Sequence, residues 1–590
     1  MKRLRNFLLV ALVAALPFTL HQAASSQQSA ASAGIKKVGD FALLDQNGYF
    51  RHMAWYDNNR AIVLLVQTND SKAARGAVPA YRQTLEKYQG KPLVFMMLNA
   101  AGEERAAVAQ TAASYGLDIP ILIDDAQVVA EAAEATTAGE VLVYDPKSFS
   151  LVYRGPAGAS LDAALDEVLA GRAVSKPSVA FKGDRIRLLA RDSDLARKVS
   201  YSREVAPILA KNCAACHRAG GIGPFALDSH LKAKSWSPMI REVLMNKRMP
   251  PGQIDPHVGK FLNGATLTNE EQQKLLHWIQ QGSVKDGDRD PLAELTWPKS
   301  VWQYGEPDLV IQVPTQTIPA TGVMPYTRIT VPIKMDKDRY VRASQYVAGD
   351  RTVLHHTLND LIGPPGAGRG GAGDAYIQPY VPGVQAYREP DKTGGLLRAG
   401  SSIALQLHYT TTGKPTTDTS RIGVWLYPEG QVPEKRMAGQ CACIFTPAWK
   451  KIPAGNPNFE QSAVITIPRA AYIHSFLPHM HFRGKYMRFT ALYPDGRKEE
   501  LINIANYSYN WQITYQLAEP KLVPAGTKIL ATAALDNSRQ NKANPDPTRT
   551  VPWGQQSWDE MFFGAVRWQY VDQTAPTEAP NARSVERGAG

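Results

Sequence analysis

Residues 471–487 read AYIHSFLPHMHFRGKYM, and three of the chain's twelve histidines, His474, His479 and His481, fall within it. Residues two apart on an extended strand share a face, so His479 and His481 would present two imidazoles side by side. A surface strand that happens to carry histidine would show the same pair, so the rest of the chain must decide what the pair is for. The surrounding texture is uniform. From about Ser300 onward, alternations such as SIALQLHYTTT, AVITIPRA and KILATAALDN are punctuated by Pro and Gly, with few long helical patterns. This predicts an all-β region of roughly 280 residues, long enough for two antiparallel sandwiches rather than one. We place them at 300–435 and 436–575, with a disordered tail over 576–590.

The chain has 590 residues, too many for one core, and about 150 residues per domain implies three to five domains. Hydrophobic residues make up 44% and charged residues 20%, an ordinary globular balance that argues against a mostly disordered chain. A basic start, an apolar run from Phe7 to Leu20 and then small residues have the layout of a secretory signal peptide over residues 1–33. Cleavage after Ala24 or after Ala33 fits. The run is short for a membrane span and no later segment is long enough, so an exported protein, periplasmic or secreted, is expected. The formal net charge is +12, but the Lys and Arg residues are scattered, which excludes a nucleic-acid-binding stripe. The four cysteines form two local pairs, Cys213 with Cys216 and Cys441 with Cys443, too few for a disulfide scaffold.

Residues 35–172 alternate strand and helix signals: AIVLLVQT and PLVFMMLNA read as buried strands, VPAYRQTLEKYQG as a helix and EVLVYDP as a strand. An α/β sandwich follows. The order resembles the thioredoxin-like fold of periplasmic redoxins and peroxiredoxins. Where that family carries its reactive cysteine, after VLLVQT, this chain reads NDSKAARGA, and no cysteine occurs anywhere in the domain. Thiol chemistry is therefore excluded there, leaving a docking or structural role. A polar connector covers 173–198.

Residues 199–290 centre on NCAACHRAG, in which Cys213, Cys216 and His217 have the C-x-x-C-H spacing of covalent haem c attachment. Two thiols one helical turn apart can bond both vinyl groups, and the adjacent imidazole reaches the iron from the same turn. A zinc or dithiol site is the other reading of C-x-x-C. The export signal, the adjoining His217 and the lack of a second C-x-x-C count against it. An amphipathic helix, YSREVAPILAKNC, leads into the motif, and TNEEQQKLLHWIQQG forms a second helix with capping-box spacing from Thr268 to Glu271. An all-α cytochrome c domain is expected. Met249, held in an extended loop by Pro250 and Pro251, is the candidate second axial ligand. Met239 and Met245 compete with it, but suit a helix core better.

Beyond this domain the histidines are His355, His356, His408, His474, His479 and His481. In SIALQLHYTTT, His408 shares a strand face with Ala404 and Gln406, opposite Ile403, Leu405, Leu407 and Tyr409. Adjacent His355 and His356 can meet one metal only where the strand bulges, twists or ends. The motifs LHHTL, LQLHYTT, LPHMHFRGK and SWDEMFFGA occur in this order, and the order resembles the copper type II, ascorbate-dependent monooxygenases, the family of peptidylglycine α-hydroxylating and dopamine β-monooxygenases. The resemblance covers roughly residues 305–575. It implies two β-sandwich (jelly-roll) copper domains. His355, His356 and His408 would hold one copper, an electron-transfer site, and His479, His481 and Met561 the other, an oxygen site. Two imidazoles with a soft thioether favour Cu(I). His474 lies outside the family pattern. At the positions where the peptidylglycine enzyme binds its substrate's carboxylate with arginine and tyrosine, this chain has Leu477 and Ala565, implying a more apolar pocket. Cys441 and Cys443 are left as either a disulfide or metal-binding thiols.

Hydroxylation from O2 consumes two electrons beyond those of the substrate C–H bond, and a haem domain fused ahead of the copper domains could supply them. The expected activity is a haem- and copper-containing monooxygenase, with one haem c and two copper ions, acting on O2 and a small organic substrate. An external donor would reduce the haem. The alternatives are a non-catalytic electron-transfer or copper-binding protein, and a haem-linked dehydrogenase.

Overall fold

The computed structural model describes residues 37–188, 197–252, 254–264, 266–298, 300–364 and 375–572. The expected signal peptide and C-terminal tail lie outside the described residues. The first unit is built on strands β1 (Ala42–Asp45), β2 (Phe50–His52), β3 (Ala61–Gln67), β4 (Leu93–Asn99), β5 (Ile121–Ile123), β6 (Thr137–Ala138), β7 (Val141–Asp145), β8 (Ser150–Gly155) and β9 (Asp184–Arg185). Seven of these form one sheet in the order β2-β1-β5-β4-β3-β7-β8. β3, β4 and β5 run parallel, while β7 lies antiparallel to β3. Helices α1 (Lys72–Lys87), α2 (Arg105–Tyr115), α3 (Val128–Ala133) and α4 (Ala159–Leu169) connect them. A βαβ unit followed by an antiparallel hairpin and a closing helix is the thioredoxin-like layout expected from the sequence.

The central strand β3 is buried at every residue, because the sheet is covered on both faces. Ala61, Val63 and Leu65 join one core with α1, α2 and α4. Ile62, Leu64 and Val66 face a second core that continues into the next unit through Tyr201, Leu209, Met245 and Trp278. One sheet face is therefore sealed by the helical domain that follows. The connector is not a free tether, for β9 pairs with β6, and Ile186 and Leu188 are buried in the shared core.

The second unit is helical. A π-helical turn, Tyr201–Val205, runs into α5 (Ala206–Asn212), followed by α6 (His230–Ser235), α7 (Ser237–Met245) and α8 (Asn269–Gln280). Thr268 and Glu271 close the expected capping box on α8.

Two all-antiparallel units follow. The first contains β10 (Leu309–Gln312), β11 (Gln316–Ile318), β12 (Thr327–Pro332), β13 (Arg339–Val347), β14 (Leu354–Ile362), β15 (Tyr387–Arg388), β16 (Gly395–Leu397), β17 (Ser402–Tyr409), β18 (Thr416–Asp418) and β19 (Arg421–Leu426). Its sheets have the orders β10-β19-β13-β15, with β16 also on β13, and β12-β17-β14. The second contains β20 (Ala438–Ile444), β21 (Phe459–Ile467), β22 (Ala471–His479), β23 (Gly484–Leu492), β24 (Lys498–Ile504), β25 (Tyr515–Val523), β26 (Thr527–Leu535) and β27 (Phe562–Tyr570). Its two four-stranded sheets run β20-β27-β22-β25 and β21-β26-β23-β24, packed over one core that includes Phe476, Phe489, Ile529 and Phe562.

The helical unit docks on the second sandwich through backbone. The Leu262 amide donates to the Gln516 carbonyl at 2.9 Å, Ala518 to Lys260 at 2.8 Å and Asp255 to Asn503 at 2.8 Å. Ile254 and Phe261 enter the sandwich core. The two sandwiches meet through Arg567, which pairs with Glu389 at 3.0 Å, and through Gln569, which donates to Thr393 at 2.8 Å.

Candidate metal centres

The C-x-x-C-H loop follows α5 as a tight turn, with the His217 amide donating to the Cys213 carbonyl at 2.9 Å. Both thiols are free of disulfide. Burial pushes the Cys213 thiol up to about 12. His217 Nδ1 lies 3.1 Å from the Phe225 carbonyl, which assigns the proton to Nδ1 and leaves the Nε2 lone pair available to iron. Phe225 is itself stacked on Trp236, with centroids 4.0 Å apart. A Cβ on Gly223 would lie 2.8 Å from His217 Nδ1, so glycine is needed for the loop to close over the ring. These residues fit a covalently attached haem. Met249 stands in the α7–α8 loop, about one-third exposed, on the wall of a cavity of about 410 Å³ that also involves Lys247, Asp125 and His257. Met245 is buried in the core, as expected, whereas Met239 is 42% exposed and not a core residue, because its side of α7 faces solvent.

His355, His356 and His408 come together. The β14–β17 register shifts between Leu354 and His356, and that bulge turns both adjacent imidazoles towards one point, the condition the sequence imposed. His356 and His408 are register partners across the two strands. His355 Nδ1 and His356 Nδ1 are 3.0 Å apart, and His408 Nδ1 is 3.4 Å from His356 Nδ1. One ligand atom from each of the three rings lies within 4.8 Å of the others. His355 Nε2 meets the Asn510 side-chain oxygen at 3.0 Å, so its proton sits there and its Nδ1 carries a lone pair. Burial holds all three imidazoles below their ordinary value, His408 at about 3, so they are neutral at pH 7. Three converging neutral imidazoles have the donor chemistry of a metal site.

His479 and His481 form a second group, to which Glu560 ties the backbone of Met561. Strand β22 ends at His479, and His481 lies just past it, yet the two rings remain 5.3 Å apart. His479 is the register partner of Phe563, and Met561, 5% exposed, immediately precedes β27. Gln512 accepts from His479 Nδ1, and the Asp559 carbonyl accepts from His481 Nδ1 at 3.3 Å, so both Nε2 lone pairs are available. Burial again lowers both imidazoles, His479 to about 4. Glu560 fastens the group. Its buried carboxylate accepts from the His481 amide, from the Arg483 amide at 3.0 Å and from the Met561 amide at 3.0 Å. Burial is the largest influence on Glu560 and pushes it up to about 7.

The segment between β24 and β25 joins both groups. Tyr509 stacks on His355 at 4.5 Å, places its hydroxyl 3.4 Å from His408 Nδ1, and has its ring 6.3 Å from that of His481. One phenol thus lies between the two clusters. Sequence reasoning missed Tyr509, Asn510, Gln512 and Glu560. Only the position of Glu560 beside Met561 was a local signal; the others reach their histidines across the fold.

Beside His479 the surface is apolar. Phe563 stacks on the His479 ring at 5.6 Å, and Leu477 and Ala565 are register partners. Cys441 and Cys443, opposite Ala565 and Phe563 on β20, form a disulfide, which decides between the two sequence alternatives. His474 sits at the bulge between Ile473 and Ser475, and its Nε2 has no hydrogen-bond partner among the described residues.

Residues 203–283 match the cytochrome c family. This segment is a cytochrome c domain. A cytochrome c domain carries haem c, and Cys213, Cys216 and His217 lie within the matched residues. No curated protein matches the chain. Similar solved structures include a hypothetical protein of Sinorhizobium meliloti, 26% identical over 26% of this chain and 92% of that chain, with a TM-score of 0.24. They also include the thioredoxin domain of a thiol-disulfide oxidoreductase from Bacteroides vulgatus, 12% identical over 23% and 96%, with a TM-score of 0.21. A third is an exposed lipoprotein thioredoxin of Streptococcus pneumoniae, 20% identical over 22% and 98%, with a TM-score of 0.19. Among the described residues no helix is long and apolar enough to cross a membrane.

Proposed function

We propose that the chain is an exported, copper-dependent monooxygenase in which the cytochrome domain feeds electrons to two copper sites that oxygenate a small organic substrate. The observation that supports this reading most is the meeting of two unlike donor sets at one domain junction. Three convergent imidazoles, His355, His356 and His408, lie across a single phenol from a second pair, His479 and His481, whose backbone Glu560 ties to that of Met561. Copper held by such donors would cycle between Cu(II) and Cu(I) and bring O2 to a C–H bond or a heteroatom.

The chain's own residues supply position and solvent exclusion. Asn510 and Gln512 fix the tautomers of His355 and His479 from their far nitrogens, as outer hydrogen-bond partners do for metal-bound histidine. Glu560 ties the backbones of His481 and Met561 together, so ring and thioether keep one geometry. Leu477, Ala565 and Phe563 give the approach to His479 an apolar floor, suited to an apolar substrate rather than a carboxylate-bearing peptide. In the cytochrome domain, Cys213, Cys216, His217 and Met249 would hold the haem, and an imidazole with a thioether would suit a carrier of fairly high potential.

The test is metal content and then chemistry on the full chain, matured with haem and reconstituted with copper. One iron and two coppers per chain, with O2 uptake and incorporation of an oxygen atom from labelled O2 into a product from a panel of small apolar compounds, is expected. Haem with two coppers but no incorporation would leave an electron-transfer or copper-binding protein. Substrate oxidation that reduces the haem without O2 would make it a dehydrogenase. One iron and no stoichiometric copper would sink the proposal outright.

A further inference from the structure

The segment Tyr509–Gln512 touches each histidine cluster by name, and Trp511, within it, touches the cytochrome domain. A Cβ added at Gly252 would fall 2.2 Å from Trp511 Cδ1, and one added at Gly383 would fall 1.9 Å from Trp511 Cη2. The indole is therefore clamped edge-on between the backbone of the cytochrome's Met249–Gly252 loop and the backbone of the first sandwich, a fit only glycine permits at either contact. That loop cannot swing away. Tyr515 donates its hydroxyl to the Gly252 carbonyl at 3.0 Å, and Asn263 donates to the Thr514 carbonyl at 2.7 Å. On one side of Trp511, Asn510 bonds His355; on the other, Gln512 bonds His479.

We propose that Trp511 is the electron-entry residue of the copper region, coupling the cytochrome's axial-ligand loop to the three-histidine cluster through Asn510 and His355. The proposal rests on the reading above that haem reduces copper. Electron tunnelling weakens steeply across gaps and least along bonds, and this route has one van der Waals contact, at Gly252, followed by covalent backbone and one hydrogen bond. With both groups bound, the step would be a one-electron exchange: ferrous haem would become ferric and a cupric ion held by His355, His356 and His408 would become cuprous, with no bond or proton changing place. The external one-electron donor reduces the haem again for the second electron.

The experiment uses the full chain loaded with haem and copper under anaerobic conditions. Haem is reduced by a photoreductant pulse, and its reoxidation is followed in the Soret band alongside loss of the cupric EPR signal. Trp511→Leu and Trp511→Ala, which remove the indole from its contact with Gly252, are each expected to slow the transfer at least tenfold, with iron and copper contents and both reduction potentials unchanged. Trp511→Phe should recover most of the rate. Variants that keep their metals and transfer at the wild-type rate overturn the proposal. So does a loss of rate that in both variants accompanies loss of copper, because Trp511 would then only support the fold. If the wild-type chain binds both metals and passes no electron from haem to copper, the functional reading fails instead.

Discussion

His257 is pinned between two carboxylates from different units. Its Nδ1 lies 2.9 Å from Asp255 of the cytochrome domain, and its Nε2 lies 2.8 Å from Asp125 of the thioredoxin-like domain. With acceptors on both nitrogens the ring is held as the cation. Hydrogen bonding to Asp125, then to Asp255, raises it to about 9 from 6.5. Asp255 also receives Arg105 and, at 3.1 Å, Asn503, while Lys247 and Asp124 line the same cavity. At 1.36 kcal/mol per decade the shift corresponds to a ceiling of about 3 kcal/mol of docking stability. Solvent reaches a fifth of the side chain, so about 2 kcal/mol is expected. The folded value is the raised one, so this stability is fully present below pH 6.5 and is lost as pH rises through about 9. The perturbation is His257→Asn, and the assay is amide exchange of Asp255, Val258 and Asn503, corrected for intrinsic rate. Local opening should be roughly 30-fold more frequent in the variant at pH 6, and equal to wild type at pH 10. A ratio that stays constant across that range would refute the clamp.

Three further outcomes follow from the same packing. Met561→Ala should reduce bound copper from two ions to one per chain, with the His355, His356 and His408 ion retained, as read by elemental analysis and EPR. Glu560→Ala strips the acceptor from three amides, those of His481, Arg483 and Met561, and should cost about 4 kcal/mol or more of local stability, seen as early melting of the second sandwich. Gly564→Val places a Cβ 2.9 Å from the Ala531 Cβ and 3.1 Å from Phe489 Cε1, and should destabilise that sandwich by about 2–3 kcal/mol in a thermal scan without touching a ligand.

Much of this was legible in the chain because its signals are local. C-x-x-C-H spacing names a haem site within one turn, and the Thr268–Glu271 capping box set the start of α8 where the structure has it. Alternation in SIALQLHYTTT assigned the two faces of β17, and burial follows it residue by residue. The adjacency of His355 and His356 demanded an irregular strand, and a register shift occurs between Leu354 and His356. The first domain's lack of cysteine excluded thiol exchange there by simple absence of the reacting group.

What the sequence determined, then, was composition and period: which segments form strands or helices, which residues can hold haem, and which histidines share a strand face. Only the tertiary structure decided how these parts meet. It sealed one face of the thioredoxin-like sheet with the cytochrome helices, closed Cys441 onto Cys443, and wedged Trp511 against Gly252. It also brought Tyr509 and Asn510 to His355, more than 150 residues away in the chain. Contacts of that kind depend on the packing of whole sheets and on glycine-sized gaps between domains, and nothing in a local window encodes the partner on the far side.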